Sequence, residues 1–356
     1  MSADLGMESL PQTPDRAPRA RLALERVDPA TWDWERLDGT PDGVVFQTRE
    51  WVEFVAATQG AEPVLAAVLA DGERVGSFTG LTIKRMGVRI LGSPFPGWTT
   101  GSMGFDLDDG VSRRDAAAAL IRFAFGPLRC MHLELKDRRL TAADVDGLGF
   151  EVEPKLTYEV DLSGDEEEIF ARMSSACRRA IRKAEKSGVT VERARGMAFA
   201  DEYYAQLRDV FAKQSLVPTY GVERVRELIR HLEPTGRLLM LRVRSPQGHS
   251  IATALFPAFN GTAYFWGGAS WRDGQILRPN EALFWHAMRE LRDRGVTTLD
   301  LGGAGDYKRK YGPTEVWVPA LRRSRVAGLP QLRTLARIAN DRRQQWRGRA
   351  RERGAG

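Results

Sequence analysis

The residues best suited to chemistry lie in the last quarter of the chain. There Gly302-Gly303-Ala304-Gly305 makes a turn, and Asp306-Tyr307-Lys308-Arg309-Lys310-Tyr311-Gly312 follows it. The segment before the turn, 296–301, reads as a strand, so these cations stand at the carboxyl end of a sheet. Positive groups held there stabilise an oxyanion or a phosphate. Asp300 and Asp306 are candidate bases beside them. Upstream, Trp266-Gly267-Gly268 lies in another strand, where glycines permit a bulge and close backbone approach. The run from Ser93 to Gly101 sets Phe95 and Trp98 between fixed turns. Arg179, Arg182 and Lys183 offer phosphate contacts from a basic helix, and an arginine fork takes two oxygens at once. His286, between Trp285 and Ala287 on a helix, reads as structural.

A frame must hold these groups, and the chain spells one twice. The first copy has strands at 63–70, 73–84 and 88–93, a proline-rich loop, a helix at 113–125 and a strand at 131–136. The second has strands at 237–244, 250–259 and 262–270, a loop, a helix at 280–294 and a strand at 296–301. Asn260-Gly261 is a hairpin signal, because both residues tolerate positive φ. Pro279 and Asn280 open the second helix and Gly295 closes it. Leu283, Phe284, Ala287, Met288 and Leu291 share its apolar face. Between the copies lies a helical insertion whose apolar stripe is Ile169, Met173, Cys177, Ala180 and Ala184. Further helices are predicted at 199–215 and 222–232. Residues 1–22, rich in Pro, Asp and Arg, read as disordered. The expected divisions are 44–160, 161–320 and an Arg-rich tail at 321–356.

Composition narrows the function. The 356 residues are 42% hydrophobic and 28% charged, enough for real cores with polar sequence to spare. No apolar run approaches the roughly 18 residues of a membrane helix. The N-terminal segment lacks the apolar core of a secretory signal. Cys130 and Cys177 exclude a disulfide scaffold or an all-cysteine zinc site, and four histidines without paired spacing argue against a histidine-built metal site. The expectation is a cytoplasmic protein that binds no metal. The net charge of +6 is uneven. Residues 321–356 carry eleven arginines against Asp341 and Glu352, and a second basic cluster spans 172–195. Two such patches suit polyanionic partners: RNA, phosphorylated substrates or an anionic membrane surface.

A three-strand meander followed by a helix and a strand is the core order of the GNAT acyltransferases, and its duplication resembles the Fem family of aminoacyl-tRNA-dependent transferases. VFQTREWVEF (45–54) resembles that family's opening segment. SSACRRAIRKAEKSGVTVE (174–192) is similar to its basic helix and strand, and LDLGGAGDYKRKYG (299–312) to its C-terminal motif. The resemblance spans about 44–320. It implies an α/β fold of two tandem GNAT-like units, each a mixed sheet flanked by helices. Lys308 matches the family's motif lysine, so Lys308 and Asp306 are the implied catalytic pair. Trp266, Gly267, Gly268, Arg278, Asn280, Lys310 and Tyr311 fall on the implied donor side. Trp51, Phe95, Trp98, Arg179, Arg182 and Lys183 fall on the acceptor side. The glycine-rich turn that grips the CoA pyrophosphate is missing, since 275–280 reads Gln-Ile-Leu-Arg-Pro-Asn. That departure favours aminoacyl-tRNA as co-substrate, with no bound cofactor. The implied acceptor is an amine on a peptidoglycan precursor or a small peptide, and no DNA partner is implied. No lysine follows Trp51, a departure from enzymes acting on nucleotide-linked muropeptides. Two alternatives stay open: an acyl-CoA-dependent N-acyltransferase, and a non-catalytic protein whose basic segments hold RNA or the inner face of a membrane.

Overall fold

The computed structural model describes residues 21–40, 43–85, 87–303 and 305–326. The first half of the chain runs β1 (Leu22–Val27), α1 (Arg49–Gln59), β2 (Glu62–Ala70), β3 (Glu73–Arg85), β4 (Val88–Ser93), β5 (Gly104–Leu107), α2 (Arg113–Phe125), β6 (His132–Lys136), α3 (Ala142–Val145) and β7 (Glu151–Asp161). The second half runs α4 (Glu166–Arg172), α5 (Ser175–Lys186), β8 (Thr190–Arg193), α6 (Ala198–Ala212), α7 (Val222–Leu232), β9 (Leu238–Arg244), β10 (Ser250–Phe259), β11 (Thr262–Tyr264), β12 (Gly267–Ser270), α8 (Pro279–Asp293), β13 (Thr298–Asp300) and β14 (Thr314–Ser324).

Local signals account for most of these elements. Asn260 and Gly261 take φ of 48° and 73°, which matches the twist of the β10–β11 hairpin. Side chains of Thr48, Ser112 and Ser174 cap α1, α2 and α5, each accepting an N–H of the first turn. Pro279 occupies the first turn of α8, where its missing N–H costs nothing.

The strands join in one path, β1-β2-β3-β4-β6-β14-β7-β13-β11-β10-β9-β8. Read inward from either edge it is the same. Antiparallel strands come first, then a parallel step, β4 beside β6 or β11 beside β13. An antiparallel strand follows, β14 beside β6 or β7 beside β13. The repeat seen in the sequence is therefore real, but each unit lends its last strand to the other. β7 follows the first unit in the chain and pairs in the second; β14 does the reverse. The two also pair with each other, from Thr314 opposite Glu159 to Arg322 opposite Glu151. The units thus form one continuous sheet.

Helix α2 covers one face of the first unit over Leu120, Leu133 and Leu135. Helices α5 and α8 cover the same face of the second unit over Cys177, Ile181, Leu283 and Leu299. On the opposite face a shared core joins the units, with Trp51 and Phe54 of α1 among Tyr203, Leu228 and Trp266. Two boundaries differ from expectation. Leu22 is buried in β1 rather than disordered. Positions 321–324 belong to β14, where Arg322 pairs with Glu153 at 2.7 Å. The 1–20 segment and the tail from 327 lie outside the described residues.

Candidate active site

β11 and β13 pair only as far as Tyr264 opposite Asp300. Phe265 N–H still reaches the Asp300 carbonyl at 2.8 Å. Beyond that each strand turns to its outer neighbour. Trp266 N–H donates to Leu255 of β10 at 3.0 Å, and Leu301 N–H to Tyr158 of β7 at 2.8 Å. The strand expected at 262–270 therefore breaks at Phe265–Trp266, because the backbone changes hydrogen-bonding partner there. The result is a notch through the sheet.

Lys308 stands at the notch on a short 3₁₀ helix, Asp306–Tyr311. Only 8% of it is exposed. Its Nζ donates to the Gly303 carbonyl at 2.6 Å. Burial lowers its pKa, and Asp300 opposes that shift. Asp300 accepts from Gly302 N–H at 2.7 Å, from Thr157, and from Arg138 at 3.2 Å. With those lone pairs engaged it is an anchor rather than a free base. Arg138 bridges on to Glu159, so groups of both units meet here. Lys136, at the end of β6, also lies within range of Asp300, and burial lowers its pKa first of all.

On the α5 and α8 side a cavity of about 310 Å³ opens. Its floor is Ala176, Cys177 and Ala180, and its rim carries Arg179, Lys183, Arg278 and Lys310. Lys310 is bound to Glu281 at 2.7 Å. Arg179, Lys183 and Arg278 have no carboxylate partner among the described residues and are exposed. Burial pushes the Cys177 thiol up to about 11, so it supplies no thiolate near neutral pH.

Residues 171–310 match the model of the acetyltransferase (GNAT) domain. Among solved structures the chain is similar to FemX, at 15% identity over 83% of this chain and 96% of that one, with a TM-score of 0.67. It is similar also to L-PGS from Bacillus licheniformis, at 14% identity over 82% and 96%, TM-score 0.51. A tandem GNAT protein from the clavulanic acid biosynthesis pathway aligns at 13% identity over 85% and 98%, TM-score 0.50. No curated protein sequence matches significantly. The chain shares the fold of these structures, and its residues 171–310 form a GNAT domain. Its matched domain is that of an acyltransferase.

Within this frame the sequence-predicted residues divide. Lys308 is at the notch. Asp306 is not: its side chain is 99% exposed and faces Arg309 at 3.7 Å. Arg278 and Lys310 share the cavity with Arg179 and Lys183, so residues expected on the donor side and on the acceptor side line one cavity. Arg182 leaves the group, lying over the Phe170 ring at 5.4 Å. Asn280 is spent on Ser270 at 3.3 Å. Tyr311 is a core aromatic against Phe284, 1% exposed, not a donor contact. Trp51 is fully buried, its indole N–H on Thr100 at 3.2 Å, and touches no acceptor. Phe95 is buried against Trp98, ring centroids 4.6 Å apart, and only Trp98 is partly open. Trp266 is buried at the notch edge. Gly267 makes room within the protein, since a Cβ there would stand 2.4 Å from the Tyr203 hydroxyl. At Gly268 a Cβ would meet the Phe265 ring at 2.9 Å.

Sequence reasoning missed Arg138, Thr157, Glu159 and Lys136. The one available signal was position: Lys136 ends β6 as Asp300 ends β13, and Asp137 and Arg138 follow as Leu301 and Gly302 do. It missed also Tyr264, whose buried hydroxyl has no partner and whose pKa burial pushes up.

Proposed function

We propose that this acyltransferase moves an aminoacyl group from aminoacyl-tRNA to an amine at the notch. The observation that carries this reading is the cavity that Lys310, two residues after Lys308, lines together with Arg179, Lys183 and Arg278; these last three have no acidic partner among the described residues. Unpaired cations around a concave site fit the phosphates of a nucleic-acid end. The amine nitrogen attacks the ester carbonyl and a tetrahedral oxyanion forms. The bond to the ribose oxygen then breaks, and the proton lost by the amine balances the hydroxyl released. Lys308 Nζ, now on Gly303, is the donor placed to meet the oxyanion. The acceptor enters from the other face, where Trp266, Tyr220 and Trp98 lie. A peptidoglycan precursor or a small peptide would supply such an amine.

One observation favours a second reading, an acyl-CoA donor: the matched model is that of acetyltransferases. Against it, the chain enters α8 through Arg278 at φ 58° and then Pro279, without the glycine turn of CoA sites. Among the described residues no helix is long and apolar enough to cross a membrane; any association with a membrane surface would run through the basic segments.

Incubation with charged tRNA or acetyl-CoA and a panel of amines, followed by mass, decides between the donors. Transfer from acetyl-CoA with indifference to charged tRNA would reverse the order. The cavity itself is tested by reversing two rim charges, Arg179→Glu with Lys183→Glu. The KM for charged tRNA is expected to rise and its logarithmic salt dependence to flatten by about 0.7 for each phosphate that the rim no longer neutralises. The saturated rate should be unchanged. An unaltered salt slope would place the RNA elsewhere.

A further inference from the structure

Trp317 is the most exposed aromatic ring among the described residues, at 60%. Yet it is mid-strand in β14, near the middle of the sheet. Side chains two apart on a strand share a face, and so do residues directly opposite on an antiparallel neighbour. Trp317 therefore shares its face with Pro319 and Leu321, and with Leu156, Pro154 and Val152 across from them on β7. Leu321 belongs to the core under α2, and Leu156 packs against the core under α5 and α8. Trp317 joins neither core. Between the two helix layers an apolar strip of β7 and β14 thus stays open, with Pro154 exposed and Val152 43% exposed. A tryptophan carries more apolar surface than almost any side chain, and a core that could take it would gain by doing so. A contiguous strip left open is the mark of a surface that meets a partner.

The strip adjoins the notch. The Gly303 carbonyl holds Lys308 Nζ at 2.6 Å. A Cβ on Gly303 would stand 3.8 Å from the Leu156 carbonyl oxygen, and Leu156 is the residue opposite Trp317. Strand order sets the two sides. The notch lies between β11 and β13; α8 packs over β9 and β10 on one side of it, and β7 and β14 lie on the other. On this face Lys308 therefore has the cavity cations Arg179, Lys183 and Arg278 to one side and an open aromatic surface to the other. An adenosine esterified on its ribose has the same layout. The ester is on the sugar, a phosphate leaves the sugar on one side and the base on the other. In acyl-CoA the long pantetheine arm separates the thioester from the adenosine, so its base has no reason to lie beside the reacting carbonyl.

We propose that Trp317, with Leu156 beside it, is the stacking platform for the terminal adenine of aminoacyl-tRNA. The base on Trp317 and the phosphate toward the cavity hold the ester between them, at Lys308, which aligns its carbonyl for attack. Stacking needs only a flat π-face, so an open sheet surface can supply it where no enclosed pocket exists. The assignment rests on the aminoacyl-tRNA reading and adds a positioning residue to it.

The test is a binding titration of the full chain with two uncharged RNA hairpins, one ending in CCA and one identical but with an abasic ribose in place of the last adenosine. Trp317→Ala should weaken binding of the CCA hairpin by about tenfold, the scale of one base–aromatic stack. Trp317→Phe should keep most of the affinity. The abasic hairpin should bind the parent about tenfold more weakly than the CCA hairpin, and Trp317→Ala should not weaken it further. The salt dependence should be the same in parent and variant, because a stacked ring neutralises no phosphate. Trp317 is exposed, so its loss should leave the melting temperature near that of the parent. CCA-hairpin binding that Trp317→Ala leaves unchanged, or an equal loss with both hairpins, would overturn the platform alone. Titration with CoA and sedimentation velocity cover the other occupants. Weakened CoA binding with unchanged hairpin binding would assign the strip to CoA, and self-association abolished by Trp317→Ala would assign it to a second copy; either overturns the proposal. Failure of the parent to bind the CCA hairpin at all would overturn the aminoacyl-tRNA reading and the platform with it.

Discussion

Lys308→Met is expected to lower kcat by about 10²-fold or more, the scale for removing one donor to a transition-state oxyanion. The side chain is buried and bonded to the Gly303 carbonyl, so it is not the exposed loop lysine that its sequence neighbours imply. Removing it loses that bond, though Gly303 is exposed and its carbonyl can meet water, so the cost in stability should be about 1 kcal/mol. Rates must therefore be compared below the lowered melting temperature. The pH profile gives an independent readout. The protonated amine is the form that donates, so kcat should fall as pH rises through its pKa. Burial lowers that pKa, placing the alkaline limb below the ordinary lysine value of 10.5. In Lys308→Arg the limb should disappear from the accessible range. Normal turnover and an unshifted profile in Lys308→Met would place the oxyanion donor elsewhere, with Lys136 the next amine near Asp300.

A chain ending at Gly312 is expected not to fold, whereas one ending at Val326 should fold cooperatively. The difference is β14. It lies in the middle of the sheet and pairs with β6 on one side and β7 on the other. Without it the first unit loses its neighbour to β6, and β7 loses one of its two partners. Val318 and Leu321 are buried, each contributing about 1.5–3 kcal/mol. Two rows of backbone donors and acceptors would also open, each buried group left unpaired costing about 1–3 kcal/mol. The sum exceeds the roughly 5–15 kcal/mol that holds a domain together. Circular dichroism and a denaturant titration of both truncations measure this. A sharp two-state transition in the shorter chain would refute the exchange of strands as a structural necessity.

Much of the frame was legible because its signals are local. The face of α8 is spelled by Leu283, Phe284, Ala287, Met288 and Leu291, all of them buried. The turn at Asn260-Gly261 needs no distant partner. Strands β2, β3, β9 and β10 are apolar runs between turn residues and appear close to where their pattern places them. The cations of 306–311 lie after a strand and a glycine turn, and that order alone put Lys308 at a sheet end.

The sequence by itself therefore determined the repeated units, the basic character of α5 and the segment holding Lys308. Only the tertiary structure decided where the units join and which side chains meet. β7 reads Glu-Val-Glu-Pro-Lys-Leu-Thr-Tyr, and β14 also contains a proline. Prolines and alternating charges argue locally against a central strand. They are tolerated because β13 pairs only with Glu159 to Asp161 of β7 and β6 only with Ala320 to Ser324 of β14, so Pro154 and Pro319, opposite each other, lie where each strand has a single partner, a register that no local pattern encodes. The Asp300 network gathers Arg138, Thr157 and Gly302 from separate turns of the chain. Residue type likewise could not say that Trp51 and Tyr311 face cores while Arg179 and Arg278 face one cavity. An aromatic ring gains by burial wherever a core will take it. Which face that is depends on how the sheet closes.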